Sequence, residues 1–234
     1  MILKLTKNNM LLDLLYPVCC VGCGRPGVSV CGRCEARLDY VEKDVCLYCK
    51  KESLFGLTHQ RCLTVNGITG AMSIFYYNPF LKRIIAAIKY DLATTVWHDF
   101  SLTIRPAGLY KLSFFKSLKN GIYLVPMPLH PRRRRLRGFN QADCIATWAH
   151  GYMDIPIQMA LERKKDTVYQ ARLREAADRS KNVKNAFIAT EDMTRQTIIV
   201  VDDVMTSGAT IKEAARACFK SGAEAVYALT IAHG

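Results

Sequence analysis

One short segment, residues 198–210 with the sequence IIVVDDVMTSGAT, constrains the fold of this chain more than any other. Its first four residues are apolar, as in strands that are buried on both faces of a parallel sheet. Two acids, Asp202 and Asp203, come next, and a Thr-Ser-Gly-Ala-Thr turn then begins a helix. Open α/β sheets bind ligands outside the carboxyl ends of their strands. The segment therefore predicts an α/β domain with a ligand site at the end of this strand.

The turn has the composition of a phosphate-binding site. Backbone N–H groups at a helix N-terminus bind anions, and glycine lets the backbone approach them closely. The two acids would repel a ligand that offered phosphate alone, whereas a ribose diol donates hydrogen bonds to carboxylates, whose charge also favours magnesium. The candidate binding residues are Asp202, Asp203, Thr206, Ser207, Gly208, Ala209 and Thr210. The chain has no GxxxxGK[ST] sequence, which excludes an ATPase of the Walker A type.

A second constraint is a series of four metal-ligand pairs, each with two residues between its members. This spacing lets a tight turn bring both donor atoms to one ion, and four such ligands complete the shell of a structural zinc. The pairs are Cys20/Cys23, Cys31/Cys34, Cys46/Cys49 and His59/Cys62. They allow two zinc ions, or one if the site with His59 holds none. Sequential pairing would group the first two pairs and the last two, whereas a cross-braced arrangement would exchange the middle pairs. Spacing alone permits both.

The chain divides by composition into three parts. Residues 1–16 are expected to be a short amphipathic lead-in and not a signal peptide, residues 17–66 a zinc-binding module like a double zinc ribbon, and residues 67–234 the α/β domain. Strands are predicted at 70–77, 121–126, 197–201 and 225–232. Helices are predicted at 79–92 with Asn78 as N-cap, at 96–118 with an interruption at Pro106, and at 141–152 and 210–221. This alternation favours a parallel sheet covered on both faces by helices.

The charge and the cysteines narrow the class of protein. The formal net charge of +13 suits a polyanionic partner such as nucleic acid or nucleotide phosphate. Seven of the ten cysteines lie between Cys20 and Cys62 in paired spacings, which favours metal binding in a reducing cytosol over a secreted disulfide framework. No apolar run approaches the roughly 18 residues that span a bilayer. We therefore expect a cytoplasmic chain that is not membrane-spanning.

Residues 198–210 closely resemble the phosphoribosyl-pyrophosphate motif of type I phosphoribosyltransferases. This resemblance implies the type I phosphoribosyltransferase fold, with the ribose hydroxyls held by Asp202 and Asp203, the 5-phosphate held by residues 206–210, and magnesium bound with the ligand. Other segments resemble the ComF/GntX family of competence-associated proteins, which have a zinc-binding N-terminus. They are IIAAIKYD at 84–91, VPMPLHPRRRRLRGFNQA at 125–142 and the run 163–187. Many members of that family carry cysteine at the position of His59.

The loop after the second predicted strand is the candidate pyrophosphate contact. Its backbone would meet the pyrophosphate, and the arginines that follow would neutralise either pyrophosphate or a nucleic-acid backbone. The residues are Pro128, Leu129, His130, Arg132 and Arg137, together with Arg163. The resemblance implies that residues 163–187 form a mobile cover over the ligand. A basic loop that closes over a polyphosphate would exclude water and supply charge to the leaving group.

The family resemblance implies a role in natural transformation. Such a protein handles incoming single-stranded DNA in the cytoplasm, at the inner face of the cytoplasmic membrane, beside a helicase-like motor and an inner-membrane DNA channel. Three hypotheses stay open: a DNA-uptake factor that binds phosphoribosyl pyrophosphate, a nucleobase phosphoribosyltransferase of salvage metabolism, and a module that senses the metabolite and regulates a partner. The second is a glycosyltransferase, by pentosyl transfer, but no residue indicates a nucleobase pocket, and no catalytic residue is assigned.

Overall fold

The computed structural model describes residues 17–90, 93–118, 121–167 and 181–234. Its main sheet is parallel throughout, with the strand order β1-β6-β5-β2. These strands are β1 Gly70–Tyr76, β2 Ile122–Pro126, β5 Thr197–Met205 and β6 Ala225–His233. A separate antiparallel pair consists of β3 Leu161–Arg163 and β4 Phe187–Ala189. The predicted strands are thus confirmed, and their parallel order places the carboxyl ends of β2 and β5 side by side.

Helices cover both faces of this sheet. They are α1 Gly32–Glu35, α2 Pro79–Tyr90, α3 Ala93–Leu102, α4 Pro106–Leu109, α5 Leu112–Lys116, α6 Pro131–Arg137, α7 Gln141–Met153 and α8 Ala209–Lys220. Alternate residues of β5 enter two different apolar clusters, as the two-residue period of a strand requires. Ile199 and Val201 pack with α2, α3, α5 and α7, whereas Ile198 and Val200 pack with α8. This architecture confirms the predicted class, a helix-flanked parallel sheet with a small cysteine-rich module at its N-terminal side.

Local signals set several helix boundaries as predicted. The side-chain oxygen of Asn78 accepts hydrogen bonds from the backbone N–H groups of Phe80, at 3.1 Å, and Leu81, at 2.8 Å, so α2 begins after an N-cap. Its predicted end at 92 lies outside the described residues. The helical stretch predicted at 96–118 begins earlier, at Ala93, and is interrupted before Pro106, as expected. In the part of the chain that is described, no helix has the length and apolar character needed to cross a bilayer.

Strand β5 is longer than its apolar core predicts. It continues through Asp202 and Asp203 to Met205, because β6 pairs with it over the whole distance, with Asp202 opposite Thr230 and Met205 opposite His233. The two acids therefore lie within a paired strand and not in a loop after it. Pairing fixes the backbone of both residues, so their carboxylates have defined positions near the carboxyl end of this inner strand.

Helix α6 was not predicted, because its arginines carry no apolar period. The residues at its two ends explain why this helix forms. Pro131 is its first residue, the side chain of His130 accepts a hydrogen bond from the backbone N–H of Arg132 at 3.4 Å, and Gly138 ends it with a φ of 75°. Proline suits a first helical turn, and glycine suits a left-handed end. The expected cover at 163–187 is described only in part, since residues 168–180 lie outside the described ranges.

The cysteine-rich module packs against both faces of the sheet. The turn between the first two ligands of each candidate metal site is here called a knuckle: the first knuckle is residues 20–23 and the second is residues 46–49. Cys20, Cys31 and Cys34 belong to the apolar cluster that contains Phe80 of α2. Leu47, in the second knuckle, belongs to the opposite cluster with α8. The two knuckles therefore face different sides of the α/β domain.

Candidate functional site

The turn between β5 and α8 has the geometry of an anion site. Gly208 is the N-cap of α8 with a φ of 72°, a left-handed value that favours glycine. The hydroxyl oxygen of Ser207 is shielded from solvent and, among the described residues, has no hydrogen-bond partner. Buried hydroxyls are usually satisfied. A helix N-terminus with an unsatisfied buried hydroxyl beside it is chemically suited to an oxyanion. Ala209 and Thr210 begin α8 directly after it.

Two acids and one lysine lie at the start of this turn. Lys89, at the end of α2, forms an ion pair with Asp203, and the backbone N–H of Asp203 donates to the carboxylate of Asp202 at 2.9 Å. Burial and the charge of Asp203 raise the pKa of Asp202 to about 7. Burial opposes the charge of Lys89, but the Asp203 carboxylate outweighs it and leaves the pKa of Lys89 above its usual value. A magnesium ion or a sugar diol would stabilise the ionised acid pair.

Sequence reasoning left the role of Lys89 unassigned. It lies in the last turn of an amphipathic helix, where lysine is common at a solvated end. Only the position of α2 beside β5 in the folded sheet brings its amine to Asp203. Gln141, at the start of α7, was also missed. Its side chain is buried, its amide oxygen accepts from Arg137 at 3.2 Å, and its amide nitrogen has no partner within the described ranges.

The predicted basic residues lie along the edge next to the acids. The loop after β2 is tied to β5 because the N–H of Met127 donates to the carbonyl of Val201 at 2.8 Å. Pro128, Leu129 and His130 follow it and are half-buried, Arg132 is exposed, and Arg137 is half-buried. The charge of Arg137 acts on Lys89, and that of Arg163 acts on Asp202. The structure therefore brings Arg137 and Arg163, two of the predicted arginines, close to the acid pair.

Arg163 is the most buried of these cations. It is 7% exposed, its guanidinium lies 5.3 Å from the centre of the Phe187 ring, and it donates to the hydroxyl of Thr167. Burial and the charge of Arg133 lower the pKa of Arg163. Its Nε has no hydrogen-bond partner among the residues described. A buried cation with a spare donor is chemically suited to bind an anionic ligand.

Asp166 connects this region to the arginine helix α6. Its carboxylate lies 3.7 Å from Arg132, 3.7 Å from Arg133 and 3.8 Å from the ring nitrogen of His130. Arg133 also donates to the backbone carbonyl of Thr167. Sequence reasoning missed Asp166, since an isolated acid in a basic loop gives no pattern. One carboxylate shared by two arginines leaves a net positive charge at this end of the sheet.

The eight candidate metal ligands form two groups. Within each group all ligand atoms lie within 4.8 Å of one another, and the groups are Cys20/Cys23/Cys31/Cys34 and Cys46/Cys49/His59/Cys62. The pairing is therefore sequential, which settles the arrangement that spacing left open. The sulfurs of Cys23 and Cys31 are 3.7 Å apart. A tetrahedral shell with Zn–S distances of about 2.3 Å has sulfurs roughly 3.8 Å apart, so these groups could hold zinc.

Local polar contacts suit the two groups to metal. In the first, burial raises the pKa of the Cys20 thiol, but backbone N–H donors, including that of Cys31, more than offset this and lower it to about 6. In the second, Nδ1 of His59 lies 3.2 Å from the sulfur of Cys49, and its Nε2 lies 3.1 Å from the carbonyl of Glu52. A carbonyl on one ring nitrogen fixes the tautomer that presents the other to a metal.

The chain is similar to several curated proteins, although no protein-family model matches it. It is 27% identical to Competence protein F of Haemophilus influenzae, over 88% of this chain and 86% of that protein. It is 30% identical to DNA utilization protein YhgH of Salmonella typhimurium, over 71% of this chain and 69% of that protein. It is 26% identical to Competence protein ComFC of Bacillus subtilis, over 85% of this chain and 81% of that protein.

Among solved structures, a glutamine phosphoribosylpyrophosphate amidotransferase from B. subtilis overlaps 51% of this chain and 24% of its own length, with 15% identity and a TM-score of 0.34. These three curated relatives, in contrast, match over most of both chains, and the Salmonella typhimurium protein reaches 30% identity over more than two thirds of its length. The chain therefore belongs to the ComF family of competence and DNA-utilization proteins.

Proposed function

We propose that this chain is a cytoplasmic DNA-uptake factor that binds phosphoribosyl pyrophosphate with magnesium and acts on incoming single-stranded DNA. In this proposal residues 67–234 form the donor-binding domain, and residues 17–66 form a module with structural zinc. The names of its relatives, two competence proteins and a DNA utilization protein, support the DNA role. A motor and a channel of the uptake machinery at the inner membrane face are the expected partners.

The unsatisfied Ser207 hydroxyl beside the left-handed Gly208 carries the donor-site proposal. It lies in the same turn as the first N–H groups of α8, and the acid pair precedes it in β5. A ligand with a phosphate and a vicinal diol complements both features, because the phosphate accepts hydrogen bonds at the helix N-terminus and the diol donates them to the acids. Asp202 and Asp203 would hold magnesium, which would draw the ligand's phosphate oxygens towards the acids.

The basic edge supports a polyphosphate or a polynucleotide. Arg163 lies beside Asp202 and fits the pyrophosphate end of the donor. Arg132, Arg134 and Arg135 on α6 are exposed, and a row of exposed arginines neutralises nucleic-acid phosphates without regard to base sequence. The proposal therefore assigns the buried arginine to the small ligand and the exposed ones to DNA.

Donor binding is proposed ahead of transfer to a base. No residue of the sequence indicates a nucleobase pocket, so the proposal assigns no acceptor base. If the protein is an enzyme, it is a glycosyltransferase that transfers the pentosyl group to an acceptor. Rapid turnover of a nucleobase by the purified protein would favour the salvage hypothesis over the DNA-uptake hypothesis.

The donor site is tested by calorimetric titration of phosphoribosyl pyrophosphate with magnesium. Asp202→Asn with Asp203→Asn should weaken binding at least about tenfold, because each charged hydrogen bond contributes roughly 1.5–3 kcal/mol. Asp154→Asn is the matched control, since Asp154 is exposed and its φ of 57° also suits asparagine. Unchanged affinity in the double variant would show that the ligand binds elsewhere.

A further inference from the structure

We infer that the second metal site positions the proposed donor-binding turn, and that Leu47 in its knuckle is the residue through which it acts. This inference rests on the proposed function, because it assigns the metal site a role in phosphoribosyl-pyrophosphate binding. Leu47 lies between the ligands Cys46 and Cys49. Leu47 does not contact the proposed ligand and acts by positioning the turn.

The side chain of Leu47 packs directly onto Gly208. A Cβ atom at position 208 would lie 2.6 Å from one methyl carbon of Leu47 and 2.9 Å from the other, closer than carbon atoms can approach. Leu47 is 1% exposed and belongs to the apolar cluster that includes Met205 and Ala209, on either side of the turn. Glycine at 208 is therefore required by its φ and also by the approach of this leucine.

Tyr48, the next residue of the second knuckle, contacts the same helix. The amine of Lys212, one turn into α8, lies 4.6 Å from the centre of the Tyr48 ring. The Tyr48 hydroxyl accepts a hydrogen bond from the backbone N–H of Ile68 at 3.1 Å. Both residues between the ligands thus hold α8 or the segment before β1. A change in the conformation of the knuckle would reach the turn through two side chains.

The segment before the second knuckle is held in the domain by a buried ion pair. The amine of Lys111 lies 2.8 Å from the carboxylate of Asp44, with side chains that are 2% and 6% exposed. Lys111 also donates to the carbonyl of Ser73 in β1 at 3.3 Å. The chain is therefore fixed just before the knuckle by this ion pair, and the knuckle itself would be held by the metal through Cys46 and Cys49. Loss of the metal would free the backbone at Cys46 and Cys49 and with it the position of Leu47.

The first knuckle contacts a different part of the domain. A Cβ at Gly22 would lie 2.6 Å from the sulfur of Cys34 and 2.8 Å from the ring of Phe80 in α2. Val30, between the first two ligand pairs, provides a matched control, because it packs in a different apolar cluster from Leu47 and α8. It is buried at 6% in the apolar cluster of α2, so its truncation removes buried methyl groups on the side that carries the first metal site.

The experiment compares Leu47→Ala, Val30→Ala and the wild type by calorimetric titration of phosphoribosyl pyrophosphate with magnesium, with zinc content and thermal unfolding measured on the same samples. We expect Leu47→Ala to raise the Kd about tenfold, equivalent to about 1.4 kcal/mol, with zinc content unchanged. Leu47→Met should restore most of the affinity, because it conserves volume. Val30→Ala should lower the melting temperature and leave the Kd within about twofold.

Equal Kd values for Leu47→Ala and wild type would overturn the inference and leave the proposed function standing. If the wild type itself fails to bind, the proposed function falls and the inference falls with it. Should Leu47→Ala not fold, Leu47→Val gives the same comparison with a smaller cavity. Amide hydrogen exchange in the wild type adds an independent readout: removal of zinc by a chelator should speed exchange at residues 206–212, and unchanged exchange there would contradict the inference.

Discussion

The two candidate metal sites share one ligand spacing but have different neighbours in the fold. The first, Cys20/Cys23/Cys31/Cys34, lies against α2 and α3, where the backbone N–H of Ser29 donates to Asp99 at 2.7 Å. The second, Cys46/Cys49/His59/Cys62, lies against the turn after β5 through Leu47. Similar local chemistry is thus connected to two different parts of the domain. Under our inference, the role of each metal site depends on the part of the domain that its knuckle contacts.

The buried ion pair near the second site provides the largest expected effect. Lys111→Met leaves the Asp44 carboxylate buried without its cation, and breaking a buried pair in this way costs about 3–5 kcal/mol of unfolding free energy. The counterpart near the first metal site is Asp99→Ala. It removes the acceptor of the buried Ser29 N–H, which costs about 1–3 kcal/mol of unfolding free energy. Urea unfolding of both variants measures the difference.

Lys116→Met is the control for Lys111→Met, because Lys116 is exposed at the end of α5, the short helix whose N-cap residue is Lys111. A double replacement, Asp44→Leu with Lys111→Met, should recover much of the lost stability, since apolar residues can replace a buried ion pair. A cost for Lys111→Met as small as that for Lys116→Met would contradict the role of the ion pair in fixing the second half of the module.

Donor binding should depend on pH through Asp202, and changes at the first metal site should not alter this dependence. Burial and Asp203 raise the pKa of Asp202 to about 7, above the value of a carboxyl in the unfolded chain. The ligand-free fold therefore holds this proton more tightly than the unfolded chain, and its contribution to stability declines as the pH rises towards 7. In the proposed site magnesium and the donor bind the ionised form of Asp202. Raising the pH towards 7 should therefore lower the Kd by up to about tenfold per pH unit, and above pH 7 the Kd should level off.

Calorimetry of donor binding between pH 6 and pH 8 measures this dependence. Asp202→Asn removes the titrating group, so its weaker binding should be flat across the same range. Val30→Ala, which changes the first half of the module, should keep the wild-type profile. A flat profile in the wild type would show that Asp202 is ionised throughout or does not contact the ligand.

The smallest expected effect of a single substitution is on the salt dependence of DNA binding. Single-stranded DNA should bind without strong sequence preference, and log affinity should fall with log salt by about 0.7 for each phosphate neutralised. Arg134→Gln on α6 should therefore reduce the slope by about 0.7, and Leu47→Ala should leave it unchanged. Fluorescence anisotropy at several salt concentrations measures the slope. No change when Arg132, Arg134 and Arg135 are all neutralised would remove α6 from the DNA surface.

Much of the fold follows from local signals in the sequence. The apolar run 198–201 predicts the central strand, and Asn78 and Pro106 mark helix boundaries that the structure confirms. Ligand spacing predicts the metal pairs. These features are local, since each depends on residues a few positions apart. Their grouping into two sites required the structure, because both pairings satisfy the same spacing.

The residues that sequence reasoning missed act through long-range contacts. Leu47 is one apolar residue between two cysteines, and only the packing of the module against α8 shows that it meets Gly208. Lys89, which had no assigned role, is far in sequence from the predicted Asp203, and the two meet because α2 ends beside β5. Helix α6 was missed for a different reason: its proline and glycine ends are helix signals, but its run of arginines has no apolar period, on which the prediction depended.

The most direct test of the account compares loss of one ligand from each metal site. Cys23 and Cys49 are the matched pair, since neither is fully buried and serine replaces both with little loss of packing. Zinc content, melting temperature and the Kd for phosphoribosyl pyrophosphate with magnesium are measured for Cys23→Ser, Cys49→Ser and wild type. We expect each variant to lose one zinc equivalent. Cys49→Ser should weaken donor binding about tenfold, whereas Cys23→Ser should lower the melting temperature with a Kd within about twofold of wild type. Equal Kd values in the two variants would contradict it.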